Sequence, residues 1–543
     1  MASATKKNID MINGPLLKKL IVFSVPLILS GVLQLLFNAA DVVVVGQFAG
    51  TESLAGVGST GSLVNLITNL TIGLAVGANV VMARAIGAQS REKASKIVHT
   101  SVIVAVAGGV IVALIGYFMS ATFLTLMKTD PEVIDKATLY LEIYFLGSPA
   151  SVLYNFGASL LRAKGDTKRP LYFLIIAGVI NVVLNLFFVI VLNMDVAGVA
   201  VATVISQAVS AVLVVICLIK DKDYCKMSFR KLRVHGKEFI EILRVGLPAG
   251  VYSSLFSLSN VIIQSAVNGF GKAVMAGNSA GSNLEGFVYI SMNAFYNAAI
   301  TFTGQNYGAR KYERIKRVFL DCLLLVTVVG VVLGVVFLLL SRFLSSLYSP
   351  DPEVINYSIT RLKVDLPLYF TCGVMEVLVG VLRGMGYSIV PMIISFLGAC
   401  VFRIVWVFTV FETWHFLWVL YVSYPVSWIL TSAAHFLTYV VSYKKVMKKA
   451  ACAQLNSQTA ANGVSDFTDG DFMETQPVNQ ENDKTCTQPI MDSCESLSVP
   501  LCDVNSASEN PFSEEEPSLS HNERANFPDG DNRAKEEDAR QAG

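Results

Sequence analysis

VFLDCLLLVTVVGVVLGVVFLLLS, residues 318–341, carries a single charge, Asp321, in twenty-four residues. A helix needs about 20 mostly apolar residues to cross a bilayer, and this block is long enough. Working outward from it, comparable blocks lie near 18–45, 55–80, 97–119, 138–161, 170–192, 196–219, 240–263, 277–302, 359–382, 390–411 and 416–441. The 543-residue chain is 53% hydrophobic and 15% charged, whereas soluble domains are roughly 25% charged. The fold class read from this is an all-α polytopic membrane protein with twelve transmembrane helices.

Cytoplasmic loops of such proteins collect Lys and Arg. Taken by alternate connections, one side of the chain carries 29 of these residues and the other 6. The rich side includes Lys6, Lys7, Lys18 and Lys19, the connection from Lys220 to Lys237, and Lys444 to Lys449 after the last block. The poor side is Lys128, Lys136, Lys272, Arg342, Arg361 and Lys363. This bias predicts an even number of spans, both termini in the cytoplasm, and a multi-pass protein of the plasma (inner) membrane. The first apolar run is too long for a cleavable leader, so the first span is expected to be retained.

From Ala451 onward there are 19 acidic residues against 5 basic, with Ser, Asn, Pro and Gln recurring. Such a composition cannot bury enough apolar surface to offset its chain entropy. Residues 450–543 are therefore expected to form a disordered acidic cytoplasmic tail. Without it the chain has 37 basic and 22 acidic residues, so the near-neutral total averages two unlike parts. The nine cysteines form no CxxC or CxxH pair, which points to neither a metal site nor a disulfide framework.

An offset of 221 relates the two halves. Asp130-Pro131-Glu132-Val133-Ile134 recurs as Asp351-Pro352-Glu353-Val354-Ile355. Gly87-Ala88, Leu161-Arg162, Gly165 and Pro170 recur as Gly308-Ala309, Leu382-Arg383, Gly386 and Pro391. Each half holds six spans, an even number, so both enter the membrane in the same direction. That is a parallel repeat about an axis along the membrane normal. The expected organisation is a six-helix lobe over 1–219, a cytoplasmic linker over 220–238 and a second six-helix lobe over 239–449. With one residue more, Pro26 maps to Pro248. A proline inside a helix frees a carbonyl and permits a bend, which makes these two the expected hinges.

An ionisable group inside the membrane costs roughly 2.5–3.5 kcal/mol on insertion scales, so each needs a reason. Ser30, Gln34, Asn38 and Asp41 recur at helical spacing in the first span. This polar stripe should face the bundle interior or a water-filled cavity. Asn181 and Asn185 share a face of the fifth span, Thr203 and Gln207 a face of the sixth, and Asn155 lies in the fourth. A carboxylate among amide and hydroxyl oxygens suits Na⁺ or a proton. Glu285 and Glu376, in spans eight and ten, are placed with Gln34, Asn38, Asn155 and Gln207 on a substrate cavity. Arg403 in span eleven is expected to neutralise one of the two glutamates. Met292, Phe295, Tyr296, Tyr252, Phe256 and Met375 are candidates for an apolar lining, with ordinary helix packing the commoner role of such residues.

The segment PLILSGVLQLLFNAADVVVVGQFAGTESLAGVG (26–58) resembles the first span and loop of the multidrug and toxic compound extrusion (MATE) family. LLRAKGDTKRP (160–170), echoed by VLRGMGYSIVP (381–391), and ARAIGAQSREKA (83–94), echoed by GQNYGARKYERI (304–315), resemble its paired cytoplasmic motifs. The resemblance covers about residues 10–447. It implies a V of two lobes around a central cavity. It also implies antiport of organic cations and other amphiphiles against H⁺ or Na⁺, with no cofactor beyond the coupling ion. The expected partners are small amphiphilic or cationic molecules and the lipid bilayer, with no nucleic acid, and the protein is expected to act as a monomer. In the family, the N-terminal ion or proton site uses an Asp of span one, Asn and Asp four apart in span five, and a Thr in span six. Asp41, Asn181 and Thr203 match. Asn185 stands where some relatives have the second Asp, leaving Asp41 as the sole acid. One subgroup binds Na⁺ with acids in spans seven and ten, but span seven here, GLPAGVYSSLFSLSNVIIQ, has none.

Other function classes fare less well. There is no GxxxxGK[ST] phosphate loop, no HExxH and no GxSxG, so an enzyme is not expected. GVGSTGSL (56–63) is Gly-rich, but it opens a span and suits close helix packing. The lack of an ATP site favours a secondary transporter. A flippase for lipid-linked sugars from the wider superfamily, and a channel, remain open. A wide basic cavity would favour the flippase, and an acid-bearing cavity favours cations.

Overall fold

The computed structural model describes residues 9–127 and 129–465, with the backbone alone described at Thr51, Leu258 and 453–465. Twelve helical rods follow one another. The first six are α1 (Leu16–Val44), α2 (Thr51–Gly87), α3 (Arg91–Leu126), α4 (Ile134–Leu146 continued by Ser148–Ala163), α5 (Lys168–Leu186) and α6 (Asp195–Lys220). The second six are α7 (Gly236–Asn268), α8 (Lys272–Gly308), α9 (Tyr312–Leu339), α10 (Pro352–Asp365 continued by Tyr369–Gly384), α11 (Ile389–Trp414) and α12 (Leu417–Ser465). Among the described residues, ten rods are long and apolar enough to cross a membrane.

The other two rods, α4 and α8, have physical reasons for their weaker signal. α4 is broken at Gly147, just before Pro149. α8 carries Asn278, Glu285, Asn293, Asn297 and Asn306. It is enclosed by α1, α2, α9 and α10, so it needs little lipid-facing surface. The lipid-facing rods show the reverse of a water-soluble surface: Phe118, Leu339 and Phe408 are 75%, 79% and 71% exposed. Hydrocarbon, not water, is the solvent that such faces fit.

The sequence repeat is also a backbone repeat. α2 and α8 are both 37 residues long and begin 221 apart. Left-handed residues pair at the same offset: Gln89 with Arg310 (φ 55° and 57°), and Gly165 with Gly386 (φ 92° and 91°). The shared DPEVI segments make the same turn. Asp130 Oδ1 accepts from Glu132 N at 3.0 Å, and Asp351 Oδ1 accepts from Glu353 N at 2.9 Å.

The halves meet through glycines. A Cβ on Gly73 would lie 2.2 Å from Gly250 Cα, and one on Gly77 would lie 2.3 Å from the Ile242 carbonyl oxygen. α2 and α7 thus cross at backbone contact, as small-residue membrane crossings do. Toward the basic face, a Cβ on Gly87 would lie 2.0 Å from Gln305 O, and one on Gly308 would lie 2.1 Å from Arg84 O. Arg84 Nε donates to Gly384 O at 3.1 Å, and its guanidinium lies 4.6 Å from the Tyr307 ring centre. At the opposite end of α2, Gly58 and Gly61 face open space. The halves therefore meet at backbone distance on the basic side, while open space lies beside the two glycines at the other end of α2.

Several expectations need correcting. α12 does not stop near 449 but continues to Ser465, since Ala and Gln in AACAQLNSQTAAN are good helix formers. The acidic tail beyond, and Lys6, Lys7 and Lys128, lie outside the described residues. Arg361 is 4% exposed inside α10, and Arg383 is 1% exposed at its other end, so neither is a loop residue. Met292, Phe295 and Met375 pack in the core, the ordinary role of such residues.

Candidate functional site

α1 carries Asp41 in its last turn before a wider π-helical turn, Val45–Ala49. α5 carries Asn181 and Asn185 just before another, Phe187–Val191. Such turns re-aim side chains and cluster at functional sites. Here they flank a chain of hydrogen bonds. Asn181 Nδ2 donates to Thr203 Oγ1 at 3.3 Å. Asn185 Nδ2 donates to Asn181 Oδ1, also at 3.3 Å, and to Asp41 Oδ1. Both asparagines are buried, and Asn185 Oδ1 has no hydrogen-bond partner. The structure thus brings together four residues drawn from three helices, with one carboxylate at the end of the chain.

Tyr140 and Tyr144 of α4 stack beside this group, their ring centres 6.1 Å apart. Both lie within electrostatic reach of Asp41. Val44, Val45, Val189, Val196 and Val199 close the group off with Tyr140. Gln207 lies beyond Tyr144, in a recess with Thr68, Thr71, Ser148 and Ser151. Its Oε1 is buried without a partner. Gln34 and Asn38 are exposed on the stripe of α1 that ends at Asp41, and Asn155 is half-buried on α4, apart from the group. Pro26 and Pro248 lie inside unbroken helices, with the Ser30 hydroxyl donating to Pro26 O at 2.7 Å.

The two glutamates are satisfied differently from expectation. Glu285 is paired by Arg361, whose Nε and Nη2 donate to its oxygens at 2.9 and 2.8 Å. Arg361 Nη1 donates to Asn278 Oδ1 at 2.6 Å. Tyr421 and Tyr424 place their ring centres 5.5 and 5.3 Å from the guanidinium. Asp365 lies 3.7 Å from Arg361 Nε and directly against the Glu285 carboxyl. Glu376 accepts from the Tyr252 hydroxyl at 2.9 Å. Arg403 neutralises neither glutamate. It donates to Ser427 at 3.0 Å and Ser259 at 3.4 Å, and lies 4.3 Å from the Tyr424 ring centre.

The MatE family model matches the chain twice, over residues 26–187 and 248–409. The chain belongs to the MATE family. A probable multidrug resistance protein of Bacillus subtilis, YoeA, is 30% identical over 382 residues, which is 69% of this chain and 82% of that protein. A Shewanella oneidensis protein named as an FAD transporter is 24% identical, over 64% of this chain and 77% of its own. Among solved structures, a MATE protein in complex with MaL6 superposes with a TM-score of 0.77 at 22% identity, covering 82% of this chain and 100% of that one. An outward-facing multidrug resistance MATE transporter of the MOP superfamily gives 0.76 at the same identity and coverage. The fold is therefore the MATE fold, and the protein is a membrane transporter, not an enzyme.

The two family matches run 222 residues apart, which sets Arg403 opposite Asn181. At 221, Arg361 and Asp365 stand opposite Tyr140 and Tyr144. The second half of this MATE protein thus places charged residues where the first half has amides and phenols. Sequence reasoning missed Tyr140, Tyr144, Arg361 and Asp365. The repeat offset was the signal that could have found them.

Proposed function

We propose that this MATE protein is a secondary antiporter exporting amphiphilic and cationic organic compounds in exchange for H⁺ or Na⁺. In this reading it is a monomer in the plasma membrane, with both termini cytoplasmic and six-helix lobes over 1–219 and 239–449 joined by a linker. The observation that carries it is the chain Thr203–Asn181–Asn185–Asp41, which ends on a single carboxylate beside an unpartnered amide oxygen. A lone acid held by an amide donor responds sharply to a bound cation. A proton on Asp41 removes its charge and weakens its hold on Asn185 Nδ2, because hydrogen bonds to ionised acceptors are about twice as strong as neutral ones. Na⁺ would engage the same carboxylate and Asn185 Oδ1, both hard oxygen ligands.

Protonation weakens the Asp41–Asn185 hydrogen bond between α1 and α5, and Na⁺ replaces it with a different set of contacts. α1 can then bend near Pro26, whose missing N–H leaves the Val22 carbonyl without its helical donor. Gln34 and Asn38 move with it, so a substrate on that face loses its place as the ion binds. Loss of the ion to the other side restores the Asp41–Asn185 bond and resets the cycle. Glu285 has no part in this scheme, because Arg361 already compensates it. The test is efflux of a fluorescent organic cation from proteoliposomes under an imposed pH or Na⁺ gradient. Gradient-driven efflux supports the reading, and efflux indifferent to both gradients overturns it.

A further inference from the structure

The connection between α6 and α7 is a built structure, not a loose loop. Cys225 and Met227 are buried at 0% and 2% exposure. Met227 N donates to Leu218 O at 3.0 Å. Ser228 N donates to His99 Nε2 at 3.1 Å, while His99 Nδ1 donates to Ser95 O at 2.6 Å, so both ring nitrogens are used. His235 N donates to Thr100 Oγ1 at 3.1 Å. The connection is thereby pinned along the first turns of α3. Between them lies a cleft of about 450 Å³, walled by Ser95, Lys96, Arg230, Lys231, Arg233 and His235.

Its charge is unbalanced. Lys96 is bonded to Glu92 at 2.7 Å and also faces Glu238. Lys93 holds Glu241, and Lys164 and Arg91 hold Asp221 and Asp223. Arg230, Lys231 and Arg233 have no carboxylate partner among the described residues. Next to these three cations in the sequence, Phe229 is 66% exposed and Val234 44%, and in the first turns of α7 Ile240 is 63% exposed.

We propose that this cleft binds the phosphate-bearing headgroup of an anionic phospholipid from the leaflet on the basic side. A free anion would need the cations but not the apolar rim. A headgroup brings a phosphodiester to the cations and acyl chains to Phe229, Val234 and Ile240. Basic clusters next to membrane helices recognise anionic lipids in this way, each residue contributing roughly a factor of five in affinity. Because the cleft is fixed by α3 and the α6–α7 connection together, the bound lipid holds that connection against the bundle.

The test is native mass spectrometry of the full chain in detergent, titrated with phosphatidylglycerol or with phosphatidylcholine of the same acyl chains. The wild type should retain phosphatidylglycerol preferentially. R230Q/K231Q/R233Q should weaken that binding on the order of a hundredfold, three such factors together. K445Q/K448Q/K449Q removes as many charges after the last span and should leave it unchanged. Phe229→Ser should weaken the lipid but not inorganic phosphate. Equal loss in both triple variants, or displacement of the lipid by millimolar inorganic phosphate, would overturn the assignment. Binding is read without transport, so the result stands apart from the antiport reading.

Discussion

Arg361→Met removes the one cation paired with a buried acid, Glu285, among the described residues. It deletes hydrogen bonds of 2.9 and 2.8 Å to Glu285 and one of 2.6 Å to Asn278. It also removes the cation beside Asp365 at 3.7 Å and the charge against Tyr421 and Tyr424. Glu285 and Asp365, 5% and 0% exposed, would stay behind without compensation. Breaking one side of a buried pair costs about 3–5 kcal/mol, whereas replacing both sides by apolar groups is often close to neutral. The single variant should therefore lose about 3–5 kcal/mol, and Glu285→Leu/Arg361→Met should recover at least ~2 kcal/mol of it. Arg361→Lys should fall between, because an ammonium cannot reproduce the bidentate fork. Denaturant titration in mixed micelles, followed by tryptophan fluorescence, gives the free energies. A single variant within ~0.5 kcal/mol of wild type, or a double variant no better than the single, would refute the reasoning.

Other consequences follow from the same geometry. Gly73→Ala, whose Cβ would meet the Gly250 backbone at 2.2 Å, should cost about 1–3 kcal/mol as overpacking and slow efflux. Gly61→Ala faces open space in a helix and should stabilise by roughly 0.5–1 kcal/mol in the same titration. Gly165→Ala places a side chain at φ 92° and should lose about 1–2 kcal/mol. Asn185→Asp adds a second carboxylate beside Asp41. It should lower the Na⁺ concentration for half-maximal efflux roughly tenfold or more, since ligand charge count tunes cation affinity over decades.

The twelve rods were legible because lipid solvation writes itself into composition, and the repeat because DPEVI survives at both 130–134 and 351–355. Asp41, Asn181, Asn185 and Thr203 were legible as a set because helical spacing and the family pattern agreed. The second half of the molecule was harder. Arg361 sits near the outer end of a block, so a charge count assigns it to a loop, although α10 turns it inward onto Glu285. Arg403 looked like a counter-ion because it is a cation inside an apolar span, as the glutamates are acids inside theirs. Its partner depends on helix rotation, which hydropathy does not record, and that rotation gives it Ser427 and Tyr424 instead. The end of α12 was misplaced because acidic composition was read from the tail as a whole, while its first residues are helix formers.

The central claim is that Asp41 couples ion movement to export. It is tested most directly by Asp41→Asn in proteoliposomes, with efflux of a fluorescent organic cation followed under an imposed pH or Na⁺ gradient. Asn is isosteric and can still hydrogen-bond Asn185, so folding, checked by denaturant titration, should hold. The account predicts that gradient-driven efflux falls to the protein-free background while the variant stays folded. Gradient-driven efflux at the wild-type rate from a folded Asp41→Asn protein would contradict it.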